Sequence, residues 1–290
     1  MPPSVHYRGR LLSTFLLVVA FLAVEALAAL FTNSLALLSD AGHMLTDAVA
    51  LGMALAAIQL AARGARGQQT FGLYRLEILA ALANSVLLLL LASYLLVEAV
   101  RRLQTPAEVL VGPMLAVAAL GLAVNLVGMA LLHSGSSANL NLHGAFLEVL
   151  ADALASVGVI VAALVQHLTG WPFADPIFGG AIGLFILPRG WRLARQSLRI
   201  LVQAAPPGFD LAQLATRLSA LPDVVDVHDL HVWTLTSEME VASVHLMVAN
   251  DANTHAVLDQ AHRLLEEVGI EHATLQVEPE DHHSCEEVTW

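Results

Sequence analysis

The sequence contains no lysine, a single cysteine and few charged side chains. Charged residues make up 13% of the chain, and the 13 basic residues, all arginine, face 25 acidic ones. One cysteine, Cys285, excludes a disulfide within the chain. The acidic balance argues against a nucleic-acid partner, which requires a basic surface. The hydrolase motifs His-Glu-x-x-His and Gly-x-Ser-x-Gly are also absent.

Apolar residues dominate what is present and predict a membrane protein. They make up 57% of the chain, and the mean hydropathy is +0.69. Six apolar runs are long enough to cross a bilayer core of about 30 Å. We expect these spans at 11–31, 35–61, 77–100, 109–132, 144–168 and 174–195.

The arginines predict the orientation of the spans. Six spans put both termini on one side, and Arg8, Arg10, Arg63, Arg66, Arg75, Arg189, Arg192, Arg195 and Arg199 would share that side. Arg101 and Arg102 would lie opposite. Positive residues favour the cytoplasm. We therefore expect a multi-pass protein in contact with lipid, in a bacterial inner membrane, with both termini cytoplasmic.

Two predicted spans each carry a pair of metal-ligand side chains four residues apart. His43 and Asp47 form the first pair, and Glu148 and Asp152 form the second. Residues four apart share one helix face. A charge at the bilayer centre costs about 2.5–3.5 kcal/mol on insertion scales. Four such groups therefore indicate a four-ligand cage for a divalent cation, although isolated intramembrane polar groups often only hydrogen-bond a neighbouring helix.

Asp40 lies three residues before His43, near the same helix face. We expect it to support the ligands or to pack between helices at least as readily as it ligates metal.

The charge and the residue pattern of the last part of the chain predict a small acidic domain. Residues 206–290 carry two arginines and 16 acidic residues, a charge of −14, whereas residues 1–205 carry +2. Helices are predicted over 211–220 and 254–268, and strands over 224–236, 239–249 and 272–278. This αββαβ order predicts an α+β fold with its helices on one side of a mixed sheet. We expect domains at 1–205 (six helices) and 206–280, followed by an acidic His/Cys tail at 281–290.

Five segments of the sequence resemble one protein family, and they occur in the same order along the chain. The stretch from Asn33 to Asp47 closely resembles the second-helix motif of the cation diffusion facilitators, which are proton-coupled exporters of zinc and other divalent metals. The remaining matching segments are Thr70–Glu77, Asp152–Ile160, Val227–Trp233 and Val244–Leu246. The resemblance covers nearly the whole chain. It implies six helices, a cytoplasmic domain of ferredoxin or metallochaperone type, and a homodimer.

The resemblance implies that His43, Asp47 and Asp152 occupy transport-site positions. The fourth position, usually His in zinc exporters and Asp in some others, is Glu148 here. One imidazole and three carboxylates form a harder site than a two-histidine site. Zinc accepts these ligands, and we expect Zn²⁺, with Cd²⁺ and Co²⁺ as further substrates. A manganese or iron exporter is the alternative within the family.

The ligands also predict the coupling ion. A metal requires a neutral histidine and ionised carboxylates, so binding releases protons and protonation releases the metal. In a site that alternates between two faces, this chemistry gives metal–proton antiport. His43 is the natural proton carrier, because imidazole is the side chain that ordinarily titrates near neutrality.

By the same resemblance, the cytoplasmic domain holds a regulatory metal site at its dimer interface. The matching positions are His228, His245, His272 and Glu278, and His255 is a further candidate. A solvated polar face is the alternative explanation. His231 serves either the fold or a metal, and the tail from Asp281 to Cys285 is either a metal scavenger or a flexible acidic end.

A different class, an intramembrane metal-dependent hydrolase, would use the same ligands around an open metal position. The sequence offers no general base for such an enzyme beyond the ligands themselves, and a hydrolase would give the acidic tail no role. A passive channel or a metal sensor is a third class. We do not expect an enzyme.

Overall fold

The computed structural model describes residues 8–61, 70–136, 140–236 and 239–281. The described residues up to Leu201 contain six long helices at the predicted places. They are α1 (Arg8–Thr32), α2 (Leu35–Ala61), α3 (Arg75–Gln104), α4 (Val111–Ser136), α5 (Leu140–Thr169) and α6 (Ala174–Leu201). Arg63, Arg66 and Cys285 lie outside the described residues.

Length and composition alone identify three described segments able to cross a membrane. They are Phe15–Thr32, Arg75–Gln104 and Asp152–Thr169, and Val111–Val127 is a shorter apolar segment. Leucines on their outer faces are largely exposed, including Leu27, Leu30 and Leu90. Such side chains suit contact with lipid tails.

Small residues bring the helices of this part close together. One buried cluster joins α1, α2, α4 and α5 through alanines and a few larger side chains: Ala29, Ala36, Leu37, Met114, Ala118, Val159, Ala162 and Ala163. Small side chains let helix backbones approach closely where lipid removes the usual hydrophobic driving force. The bundle thereby fixes α2 and α5, which carry the predicted ligands.

The start of α2 is held by α6. Asp175 is completely buried and accepts hydrogen bonds from Ser34 Oγ (2.5 Å), from Leu35 N (2.7 Å) and from Ala36 N (3.1 Å). These backbone N–H groups have no partner within the helix, and a carboxylate at a helix N-terminus also interacts favourably with the helix dipole. Asp175 therefore caps a helix that precedes it by about 140 residues of chain.

The elements after residue 205 agree with the predicted αββαβ order. They are α7 (Leu211–Ser219), β1 (Val224–Thr236), β2 (Met239–Val248), α8 (Thr254–Glu267) and β3 (His272–Pro279). β1 pairs with β2 antiparallel and β2 pairs with β3 parallel, so the sheet is mixed. Asp210 caps α7 by accepting a hydrogen bond from Gln213 N, as predicted.

One face of this sheet forms the core with both helices. Ala242, Val244, Leu246 and Val248 alternate along β2 and are buried against α7 and α8. Side chains on a strand alternate between faces, so His245 lies on the opposite face. The metal-ligand candidates of the sheet are therefore separated from the apolar core.

The described chain divides into two compact units. One contains the helices up to residue 194, apart from residues 64–79; the other contains residues 64–79 together with residues 195–290. Within the second unit, Thr236 Oγ1 donates a 2.6 Å hydrogen bond to Glu77 Oε2. The ring of Phe71 packs edge-on against His272, with 6.3 Å between the ring centres. The turn before α3 thus belongs to the unit that contains the sheet.

Candidate metal centres

His43 and Asp152 meet between α2 and α5. His43 Nε2 lies 2.8 Å from Asp152 Oδ1, and the imidazole is 7% exposed. The two residues belong to the two ligand pairs identified in the sequence. One imidazole nitrogen and one carboxylate oxygen at this distance are suitable partners for a divalent cation.

A second contact joins the same two helices one turn away. Ser156 Oγ donates a 3.3 Å hydrogen bond to Asp40 Oδ2. Asp40 is buried and also lies beside the carboxyl group of Glu25 on α1. Asp40 therefore faces Glu25 and Ser156 in the structure, beside the predicted ligands.

These two contacts give the relative direction of the helices. Asp40 precedes His43 in α2, whereas its partner Ser156 follows Asp152 in α5. The helices therefore run antiparallel. Helical periodicity places Asp47 and Glu148 one turn beyond His43 and Asp152, on the other side from Asp40. Their backbones belong to α2 and α5, and their side chains lie outside the described residues.

Arg189 is a neighbour of His43 that the sequence reasoning missed. Its Nη1 atom lies 3.3 Å from His43 Nε2. The topology prediction counted Arg189 only as a charge on the cytoplasmic side. Its position directly after Pro188, within an apolar stretch of α6, was the available signal.

A second cluster lies on the outer face of the sheet. His228 on β1 pairs with His245 on β2, and Glu278 lies on the neighbouring β3. One ligand atom from each residue can be chosen so that all three lie within 4.8 Å of one another. Glu278 Oε1 is 3.1 Å from His245 Nδ1, and Glu278 Oε2 is 3.5 Å from His228 Nε2. The register of three strands therefore assembles this cluster.

The chemistry of this cluster suits a metal. His228 Nε2 and His245 Nδ1 are buried, and within the described chain neither makes a hydrogen bond of good geometry. Two imidazole nitrogens and a carboxylate are zinc ligands, and about 3.3 Å separates ligand atoms in a tetrahedral zinc site. Small movements of these side chains would bring the three ligand atoms from the observed spacing of up to 4.8 Å to about that distance. Gln276 Nε2 donates a hydrogen bond to Glu278 Oε1 and orients that carboxylate.

The other predicted residues of this domain lie apart from the cluster within one protomer. His255 is 85% exposed on α8, 3.8 Å from Asp259. His272 is six residues before Glu278 on β3, which corresponds to about 20 Å along a strand. His231 Nε2 is 2.8 Å from Asp229 Oδ1. In the tail, Asp281 is described, whereas His282, His283 and Cys285 lie outside the described residues.

Two family models match the chain and cover most of it. The model described as the cation efflux transmembrane domain matches residues 11–202. The model described as the cation efflux protein cytoplasmic domain matches residues 206–280.

Three curated relatives are similar over most of their length. The metal cation efflux system protein CzcD of Cupriavidus metallidurans is 45% identical, across 89% of this chain and 82% of its own. The zinc transporter ZitB of Escherichia coli is 42% identical, across 97% and 90%. The cadmium, cobalt and zinc/H(+)-K(+) antiporter of Bacillus subtilis is 37% identical, across 94% and 89%.

One solved structure is similar to the end of the chain. It is the metal-bound C-terminal domain of the CzcD transporter from C. metallidurans, with 35% identity, 24% of this chain and 99% of that chain covered, and a TM-score of 0.23.

Proposed function

The chain belongs to the cation efflux (CDF) family of metal cation exporters, and we propose that it exports Zn²⁺ in exchange for protons through a site made by His43, Asp47, Glu148 and Asp152. Cd²⁺ and Co²⁺ are further proposed substrates. The names of two of these relatives include zinc, and one also includes cadmium and cobalt, which supports this choice of metals.

One observation carries the proposal. His43 and Asp152 come from helices separated by more than a hundred residues, yet their ligand atoms lie 2.8 Å apart. Each residue has its predicted partner one turn along the same helix. That geometry supports the proposal of a cage of four ligands on two adjacent antiparallel helices.

Proton coupling follows from the protonation states that the metal requires. A bound metal needs the lone pair of His43 and ionised carboxylates, so arrival of the metal displaces protons and protonation releases the metal. His43 is the proposed proton carrier. Replacement of His43 by Gln should alter the pH dependence of transport, and an unchanged pH dependence would exclude this role.

The decisive experiment measures zinc flux into proteoliposomes under an imposed pH gradient. Asp152→Asn removes one charge without changing shape, and Glu108→Gln, at an exposed position, is the matched control. We expect gradient-driven flux in the wild type and in Glu108→Gln, and its loss in Asp152→Asn. Flux that persists in Asp152→Asn would contradict the proposed site, and absence of flux for every divalent metal would contradict the function.

Metal preference depends on Glu148 in this proposal. Three carboxylates favour harder cations than a two-histidine site does, so Mn²⁺ or Fe²⁺ is the second candidate substrate. Glu148→His should raise the zinc-to-manganese ratio of transport. A wild type that transports manganese in preference to zinc would replace the first candidate with the second.

We further propose a regulatory zinc site in the cytoplasmic domain, formed by His228, His245 and Glu278. A metal that draws together acidic domains would favour a homodimer. His255 and His272 stay proposed ligands, and their distance from the cluster within one protomer requires that any contribution to it come from the second protomer. The match to the cytoplasmic-domain model supports a dimer.

The proposed placement is a bacterial inner membrane with both termini cytoplasmic. We retain the division into a transport domain at 1–205, a cytoplasmic domain at 206–280 and a tail at 281–290. The family is a transporter family and not an enzyme family, which removes the support for an intramembrane hydrolase.

A further inference from the structure

Arg189 places a permanent positive charge against the transport ligand His43. Its guanidinium nitrogen Nη1 is 3.3 Å from His43 Nε2, the same nitrogen that lies 2.8 Å from Asp152 Oδ1. A guanidinium stays protonated at all physiological pH values and offers only hydrogen-bond donors. The histidine therefore faces a carboxylate and a cation at once.

The fold sets this contact through the register of α2 and α6. Asp175 caps the start of α2, and a Cβ atom at Gly179 would lie 2.8 Å from the backbone carbon of Leu35. From this junction His43 is eight residues along α2, and Arg189 is ten residues along α6. At 1.5 Å per residue, both rise about 12–15 Å in the same direction. Arg189 thus reaches the level of His43.

A divalent metal and Arg189 compete for the same position. Zinc bound to an imidazole lies about 2.0–2.1 Å from its nitrogen. A guanidinium nitrogen 3.3 Å from that nitrogen would then be in repulsive contact with the metal, since both are cations. Arg189 must leave His43 when a metal arrives.

The sequence of α6 provides a place for that movement. Pro188 directly precedes Arg189 within the helix. Proline donates no backbone hydrogen bond and its ring crowds the carbonyl group of Leu184, which weakens the helix at this turn. A small bend here would withdraw the guanidinium from His43.

We propose that Arg189 is a counter-cation of the transport site: its guanidinium competes with a divalent cation for His43. The assignment rests on the proposed transport site. By competing with the metal, Arg189 lowers the affinity of the site and speeds release on the far side of the membrane. It is a residue that sets affinity and turnover rather than a metal ligand.

The test compares zinc binding and zinc transport in four variants of the full chain. Arg189→Gln removes the charge, Arg189→Met removes it with an apolar side chain, and Arg189→Lys keeps it. Arg192→Gln, at an exposed position on the same helix, is the matched control. All variants, and the parent chain with which they are compared, carry His228→Ala and His245→Ala, so that the cytoplasmic cluster does not contribute to binding.

We expect Arg189→Gln to bind zinc about tenfold more tightly or better, with a lower KM and a lower maximal rate of transport. Arg189→Lys keeps the charge and should shift affinity and rate less than Arg189→Gln does, and Arg192→Gln should stay near the parent chain. An unchanged or weakened zinc affinity in Arg189→Gln would overturn the proposal, because removal of a competing cation must tighten binding. Loss of a residue that merely supports the fold would not tighten it. If Arg189→Gln fails to fold, Arg189→Met decides by the same criteria.

The binding measurement separates this proposal from the proposed function. A protein that binds zinc without gradient-driven flux would contradict the transport function, whereas the affinity of the Arg189 variants would still decide the role of this arginine.

Discussion

His43 lies at the centre of the polar groups of the proposed transport site. Its Nε2 atom contacts Asp152 and Arg189, and Asp40, one turn away, faces Ser156 and Glu25. Four helices thus contribute polar groups around one imidazole and its neighbours. Polar groups inside a membrane are costly unless they satisfy one another, and their concentration here supports the proposed transport site.

Asp175 is the residue on which the position of α2 depends most. Asp175→Ala would leave the buried Leu35 N and Ala36 N without an acceptor, and it would remove one of several partners of Arg102, whose Nη1 is 3.6 Å away. We expect the free energy of unfolding in detergent to fall by about 3 kcal/mol or more, as for a buried charge-assisted network.

A matched measurement uses Asp210→Ala, which removes an exposed cap from α7. That loss should cost about 1 kcal/mol. Equal losses in the two variants would show that the contacts of Asp175 contribute no more than an ordinary surface cap.

At the scale of elements, the closest approach of α6 to α2 depends on Gly179. An added Cβ atom there would lie 2.8 Å from Leu35 C and 2.9 Å from Ala36 N, and backbone atoms cannot move aside as a flexible side chain can. Gly179→Ala should therefore separate the two helices and lower both thermal stability and zinc flux.

Gly112 on α4 is the control for this substitution. A Cβ atom at Gly112 meets nothing within 4 Å, and alanine favours a helix over glycine by up to about 1 kcal/mol. Gly112→Ala should leave the melting temperature unchanged or raise it slightly. If both substitutions gave the same melting temperature, the tight contact at Gly179 would not limit the packing of the bundle.

At the scale of the whole molecule, charge is distributed to suit a cation exporter. Residues 206–290 carry a charge of −14, and the rest of the chain carries +2. A strongly acidic domain raises the local concentration of cations. The cluster of His228, His245 and Glu278 would then bind metal from a pool that the domain itself attracts.

Zinc should stabilise the cytoplasmic domain through this cluster. At a free zinc concentration of 100 times the Kd, a site specific to the folded state adds about 2.7 kcal/mol. Hydrogen exchange along β2 in the full chain measures the effect. We expect zinc to slow exchange in the wild type and in His262→Ala, an exposed histidine on α8, but not in His245→Ala. Slowed exchange in His245→Ala would place the metal elsewhere.

Much of the architecture follows from the sequence by itself. The apolar runs predict the six helices within a few residues at most of their ends, and the alternation along β2 predicts which face of the sheet is buried. Asp210 predicts the start of α7. These features depend on neighbours in the chain, because helix and strand periodicities repeat every few residues.

The sequence also predicts which residues carry the metal chemistry, whereas the tertiary structure decided which of them meet and which further residues lie beside them. The spacing of His43 and Asp47 places both on one helix face, but no spacing brings Asp152 to 2.8 Å from His43 or Arg189 to 3.3 Å. Those contacts depend on the register between helices. For α2 and α6, Asp175 and Gly179 fix this register through bonds and close approaches to residues about 140 positions away. Likewise, the cluster of the cytoplasmic domain depends on strand pairing, which brings Glu278 to His228 and His245 and leaves His255 and His272 apart within one protomer.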